Sequence, residues 1–158
     1  MRKQFSEKFE EIRIRFDKVF KELFGGGYGN LELVTDDGTD LLEAGVAINV
    51  QPPGKKLQNM MQLSGGEKAL SAIALLFAIQ SLKPSPFCIL DEIEAALDDS
   101  NVSRFASYLH RLSDKTQFVV ITHRRGTMES ADRLYGITMQ EKGITALVSV
   151  DLVSDKLS

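Results

Sequence analysis

"PFCILDEIEAALDDSNVSRF" (Pro86–Phe105) is the stretch on which the fold turns. It opens with an unbroken apolar run, Pro86–Leu90, and stops at two adjacent acids, Asp91 and Glu92. A short continuous apolar run reads as a strand buried on both faces. From Asp98 to Leu112 the period changes, and Val102, Phe105, Ala106 and Leu109 share one face of a helix. "QFVVIT" (Gln117–Thr122) is a second apolar strand, followed directly by His123. Strand, helix and strand in this order predict a βαβ unit with a parallel pairing. In open α/β sheets ligands gather beyond the carboxyl ends of the strands. Asp91, Glu92 and His123 all fall there.

Immediately upstream lies "LQNMMQLSGGEKALSAIALLFAIQ" (Leu57–Gln80). From Ser64 to Leu82 it is apolar on most sides, which predicts a buried helix. Gly65 and Gly66 sit in its first turn, although each glycine in a helix costs about 1 kcal/mol relative to alanine. Ser64 and Glu67 form a capping box, in which each side chain bonds the other residue's amide. That explains both of them and leaves the glycines unexplained. Bare, unpaired amides at the positive end of a helix dipole suit a phosphate, and Lys68 follows closely. Plain capping is the alternative.

The N-terminal segment carries Phe5, Phe9, Ile12, Phe16, Val19 and Leu23, spaced as the seam of a coiled coil. Ile14, Phe20 and Phe24 widen this stripe toward its end, as for a helix leaving a coil and entering a globular body. A single amphipathic helix packed on its own domain fits the same spacing. Gly25–Gly27 ends the helix. Strands are expected at Leu31–Val34 and Gly45–Gln51, with a turn at Asp36-Asp37-Gly38 and a stop at Pro52-Pro53-Gly54. The tail reads as two strands, about Leu134–Gln140 and Ile144–Leu152, joined at Glu141-Lys142-Gly143.

With 158 residues, 43% apolar and 26% charged, the chain suits one soluble domain. A net charge of −3 gives no global nucleic-acid signature. The single Cys88 forms no internal disulfide and reads as core, in keeping with a reducing cytoplasm. The charged N-terminus lacks a signal-peptide core, and no apolar run approaches membrane-spanning length.

Adjacent strand residues face opposite ways, so Asp91 and Glu92 suit different tasks. One can hold Mg²⁺ through water while the other activates a nucleophilic water. His123 is equally consistent with a structural and a catalytic role. One of Asp98 and Asp99 is a helix cap. Lys55-Lys56 and Arg124-Arg125 read as solvated, with phosphate contact the other option. A P-loop, G-x-x-x-x-G-K-[ST], is missing, because Gly54-Lys55 is followed by Lys56 and Asn49 stands where the first glycine belongs.

"LSGGEK", "FCILDE", "AALDD" and "VITH", in this order, resemble an ABC-type ATPase. "ALSAIALLFAIQ", "PFCILDEIEAALDDSNVSRF" and "QFVVITHRRGTMESADRLYGITMQ" resemble the C-terminal head segment of a bacterial SMC (structural maintenance of chromosomes) protein, over essentially the whole chain. The resemblance implies an α/β fold: the C-terminal lobe of an ABC-type ATPase head (residues 25–158), with a mixed or parallel sheet and flanking helices. A coiled-coil helix (residues 1–24) would lead into it. It implies that Ser64, Gly65 and Gly66, with Glu67 and Lys68, form the signature motif that contacts the γ-phosphate of ATP on an opposite head. Asp91 would hold Mg²⁺, Glu92 would activate water, Asp98 would end the D-loop Ala96-Leu97-Asp98, and His123 would be the switch histidine.

The resemblance further implies a P-loop and Q-loop in an N-terminal head segment, beyond a long coiled coil and hinge. The chain alone would then be inactive. Implied partners are that N-terminal segment, a second SMC head in a homodimer, a kleisin subunit whose winged-helix domain binds this side of one head, and DNA through the complete complex. The implied work is condensin-like chromosome condensation and segregation in the cytoplasm, at the nucleoid. Other readings are a transporter nucleotide-binding domain, a DNA-repair ATPase, and a non-enzymatic interaction module. Ile93 stands where transporters usually carry proline after the acidic pair.

Overall fold

A computed structural model describes residues 2–35 and 40–152. The expected turn at Asp36-Asp37-Gly38 lies outside the described residues. Helix α1 (Arg2–Phe24) leads into the antiparallel strands β1 (Tyr28–Val34), β2 (Gly45–Gln51) and the short β3 (Gln58–Asn59). Helix α2 (Gly65–Gln80), strand β4 (Phe87–Asp91), helix α3 (Asp99–Leu112) and strand β5 (Gln117–Ile121) follow. A single turn, α4 (Arg125–Met128), precedes the antiparallel hairpin of β6 (Arg133–Glu141) and β7 (Ile144–Asp151). This mixed α/β architecture is the expected fold class.

The βαβ unit is present, with β4 and β5 parallel and in register from Phe87↔Gln117 to Asp91↔Ile121. One face of this pair supplies Leu90, Phe118 and Val120 to the core. Phe77 of α2 is the hub above it, with its ring centroid 6.1 Å from Phe105 and 5.4 Å from Tyr108. Phe118 meets Phe77 edge-on at 89°, an arrangement in which positive ring edge faces negative ring face.

The C-terminal half of α1 completes this core. Phe16, Val19, Phe20, Leu23 and Phe24 are buried against the body, whereas Phe5, Phe9 and Ile12 remain half-buried along the same stripe. The chain then turns sharply, with Gly25 at φ +72° and the amide of Gly26 bonded to the Lys21 carbonyl at 2.8 Å. Gly27 has φ +86°, and a Cβ there would fall 2.3 Å from the Gln51 carbonyl oxygen. Only glycine combines that backbone with that approach. Strand β1 starts at Tyr28, earlier than expected, because Gly29 lets it lie directly against Phe16 and Phe20.

Two expectations of burial are corrected. Strands β4 and β5 are not buried on both faces: Phe87, Ile89, Val119 and Ile121 are 60%, 61%, 46% and 52% exposed on the face away from α2 and α3. Their unbroken apolar character matches two-sided burial, and the second face stands open. Helix α2 buries Leu70, Ile73, Ala74, Phe77 and Ala78, but Leu76 and Ile79 on its other side are exposed. The β6–β7 hairpin also exposes Tyr135, Ile137, Met139, Ile144, Leu147, Val148 and Val150. Two helix starts move by one residue, since Ser64 and Asp98 are caps rather than helical residues, and α2 stops at Gln80.

Candidate functional site

The start of α2 is held by the expected capping box. Ser64 Oγ accepts from the Glu67 amide at 3.4 Å, and Glu67 Oε2 accepts from the Ser64 amide at 3.1 Å. Lys55 is not simply solvated: its Nζ lies 2.8 Å from Glu67 Oε1. The Lys55 ammonium first, and the Ser64 hydrogen bonds after it, hold the Glu67 carboxyl below the usual carboxylate range against the opposing effect of burial.

The neighbouring glycines behave differently. A Cβ on Gly65 would meet nothing within 4 Å, so the space beside it at the helix start is open. A Cβ on Gly66 would stand 3.0 Å from the Ala96 carbonyl oxygen. Gly66 thus packs closely, with the α2 start against the turn Glu94–Leu97. That turn is closed by the Leu97 amide donating to the Glu94 carbonyl at 3.0 Å. Asp98 then caps α3, its Oδ1 accepting from the Asn101 amide at 2.8 Å.

Asp91 ends β4 with an exposed side chain. Glu92 is not a further strand residue. Its φ of +48° is left-handed, and it is the one non-glycine with positive φ among the described residues. For an L-residue that conformation costs roughly 1–2 kcal/mol. The Glu92 amide donates to the Ile121 carbonyl at 3.0 Å, which pins the turn to the end of β5. Glu92 therefore lies in a turn and not in the strand alternation expected of it. Glu92 Oε1 comes within 3.3 Å of His123 Nδ1, with both side chains more than half exposed.

Arg124 is also engaged, contrary to the solvated reading, and donates to Asp99 Oδ1 at 2.9 Å with its own side chain 22% exposed. Arg125 pairs with Glu129 on the surface. Glu94 escaped the sequence reading altogether. It is fully buried, between Glu92 and the Ala96-Leu97-Asp98 segment in sequence, and Thr122 and Thr127 donate to it. The only signal for it was an acid inside an otherwise apolar "IEAAL".

Glu92 and His123 thus meet beside Asp91 at the carboxyl ends of parallel strands, while Gly65 opens the helix start of α2. Among the described residues no group of three or more His, Cys, Asp or Glu side chains is close enough to cage a metal ion. A lone exposed Asp91 fits Mg²⁺, which keeps several waters and shares its coordination with substrate phosphates. No described helix is long and apolar enough to cross a membrane.

A parallel strand pair with acids and a histidine at its carboxyl end, beside a glycine-opened helix start, is the arrangement of an ABC-type ATPase lobe. The chain belongs to the SMC family: the family model "RecF/RecN/SMC N terminal domain" matches residues 2–146. The Chromosome partition protein Smc of Desulfitobacterium hafniense (strain Y51) is 64% identical over 95% of this chain, and that of Bacillus subtilis (strain 168) is 60% identical over 99%. The chain spans 13% of the length of each. A structure described as "Structural biochemistry of ATP-driven dimerization and DNA stimulated activation of SMC ATPases" superposes with TM-score 0.87 at 38% identity, covering 99% of this chain and 93% of that one. The Smc head domain of Pyrococcus furiosus, with an extended coiled coil and bound to the C-terminal domain of ScpA, has TM-score 0.85 at 40% identity, covering 96% of this chain and 37% of that one.

Proposed function

We propose that this chain is the C-terminal half of an SMC ATPase head, and that it supplies half of a composite ATP site. The observation that carries this is the Glu92–His123 contact at 3.3 Å beside Asp91, on a chain without a P-loop of its own. The P-loop and its bound nucleotide then belong to an N-terminal head segment of the same protein. The exposed β4–β5 face, with Phe87, Ile89, Val119 and Ile121, supports this because apolar parallel strands are normally covered on both sides.

In this reading Glu92 accepts a proton from the attacking water, and its raised exposure leaves the carboxylate reachable by that water. His123 steadies Glu92 from Nδ1 and reports the state of the γ-phosphate. Asp91 would hold Mg²⁺, which would supply neutralisation of phosphate charge. Ser64, Gly65 and Gly66, with Glu67 and Lys68 at the same helix start, receive the γ-phosphate of ATP held on a second head. Asp98, at the end of the D-loop, lies at the junction between the two heads. Two heads are therefore needed for each site, and the protein works as a homodimer with a kleisin subunit and DNA, in chromosome segregation and condensation at the nucleoid.

The test is Glu92→Gln in the complete protein. The variant is expected to pair its heads with ATP and to hydrolyse it at least about a hundredfold more slowly. Wild-type turnover in that variant would remove Glu92 from the base role.

A further inference from the structure

Glu94 has no exposed surface, yet it is an acid. Its Oε1 accepts from Thr122 Oγ1 at 2.5 Å and from Thr127 Oγ1 at 3.1 Å. Its Oε2 finds no hydrogen-bond partner among the described residues. A buried carboxylate with an idle oxygen is a poor choice if packing were the only demand, since an apolar side chain of similar shape carries no such penalty. The position therefore calls for what the acid's other oxygen does.

Thr122 immediately precedes His123, and its hydroxyl also accepts from the Arg124 amide at 2.9 Å. The residues on both sides of His123 are thus tied through one hydroxyl to Glu94. The Arg124 side chain reaches Asp99 at 2.9 Å, which ties the same segment to the first turn of α3. On its own backbone, Glu94 closes the turn whose Ala96 carbonyl abuts Gly66. The segment bearing His123 is therefore tied to the Glu94 carboxylate, and the turn against the α2 start to the Glu94 backbone.

We propose that Glu94 is a positioning residue, which sets the placement of His123 against Glu92 by acting through the Thr122 hydroxyl. The proposal rests on the reading of Glu92 and His123 as the reacting end of the site. Glu94 itself has no exposed surface and acts through its neighbours. Without its bond to Thr122, His123 is free to leave Glu92, and displacements of about 1 Å in such groups cost up to a hundredfold in rate.

The test uses the complete protein with ATP. Thr122→Val keeps the shape and removes the hydroxyl, and Glu94→Ala removes the acceptor. Each is expected to lower kcat by about ten- to a hundredfold, with KM and ATP-dependent head pairing changed by no more than about twofold. Because both variants remove the Glu94–Thr122 bond, the double variant is expected to lose clearly less than the two single losses combined. Glu94→Gln, which retains a carbonyl acceptor, is expected to recover turnover relative to Glu94→Ala. Thr127→Val breaks the bond that does not lead to His123, and is expected to stay within about threefold of wild type. The proposal is overturned by wild-type kcat in Thr122→Val, by additive losses in the double variant, or by a Thr127→Val loss equal to that of Thr122→Val. If Glu94→Ala fails to fold, the two threonine variants decide the matter. A Glu92→Gln protein that hydrolyses ATP normally would contradict the underlying reading instead, whatever these variants do.

Discussion

A methyl group added at Gly65 would meet no atom within 4 Å, whereas one at Gly66 would stand 3.0 Å from the Ala96 carbonyl oxygen. This difference separates ligand access from packing at adjacent positions. Gly65→Ala is expected to leave thermal stability unchanged or slightly raised, by up to about 1 kcal/mol, while ATP-dependent head pairing is lost. Gly66→Ala is expected to lower the melting temperature as well, since backbone must yield to the new atom. Paired thermal melts and crosslinking of heads check both. Glu92 adds a further contrast at this scale. Its left-handed φ of +48° favours glycine, so Glu92→Gly is expected to relieve backbone strain. The glutamate is conformationally unfavourable where it stands, 3.3 Å from His123.

At the scale of elements, the start of α2 depends on an ionised Glu67. Its folded-state carboxyl lies below the ordinary range because of Lys55 and Ser64, so ionisation contributes stability that is complete above the unfolded value. That contribution is lost as pH falls through the carboxylate range, below about 4. Glu67→Gln retains the capping geometry and removes the charge. Its stability deficit, measured by thermal unfolding, is expected to be constant from neutral pH to about pH 5 and to shrink below that. Sequence made α1, α2 and α3 legible through their helical spacing, and β4 and β5 as unbroken apolar runs. Strand β3 and the single turn α4 were not legible, because neither is long enough to show a period. Of the candidate site, the positions of Ser64–Lys68, Asp91, Glu92 and His123 at a helix start and strand ends were legible. Glu94, Lys55 and Arg124 were not, since their roles come from partners distant in sequence that only the fold brings together. The unbroken apolar strands were misread as covered on both faces, because sequence reports a strand's preference and not whether the cover is supplied by the same chain.

At the scale of the whole molecule, the exposed faces are the main physical fact. Phe87, Ile89, Val119 and Ile121 form one apolar surface on the parallel pair, where burial would be expected of such strands. Ile89→Lys is expected to change the isolated chain's stability by no more than about 0.5 kcal/mol, as an exposed substitution does. The same change is expected to weaken association with a P-loop-bearing N-terminal head segment by at least about tenfold, because it buries an unpaired charge. Calorimetric titration of the two segments checks it, and unchanged affinity would move the N-terminal segment off this face. The central claim is that this chain is one half of a shared ATP site. Its most direct test is ATP turnover with magnesium, measured for the chain alone and after mixing with the P-loop-bearing segment, with and without DNA. The account predicts no appreciable turnover by the chain alone and turnover on mixing that Glu92→Gln abolishes. Robust turnover by the chain alone would contradict it.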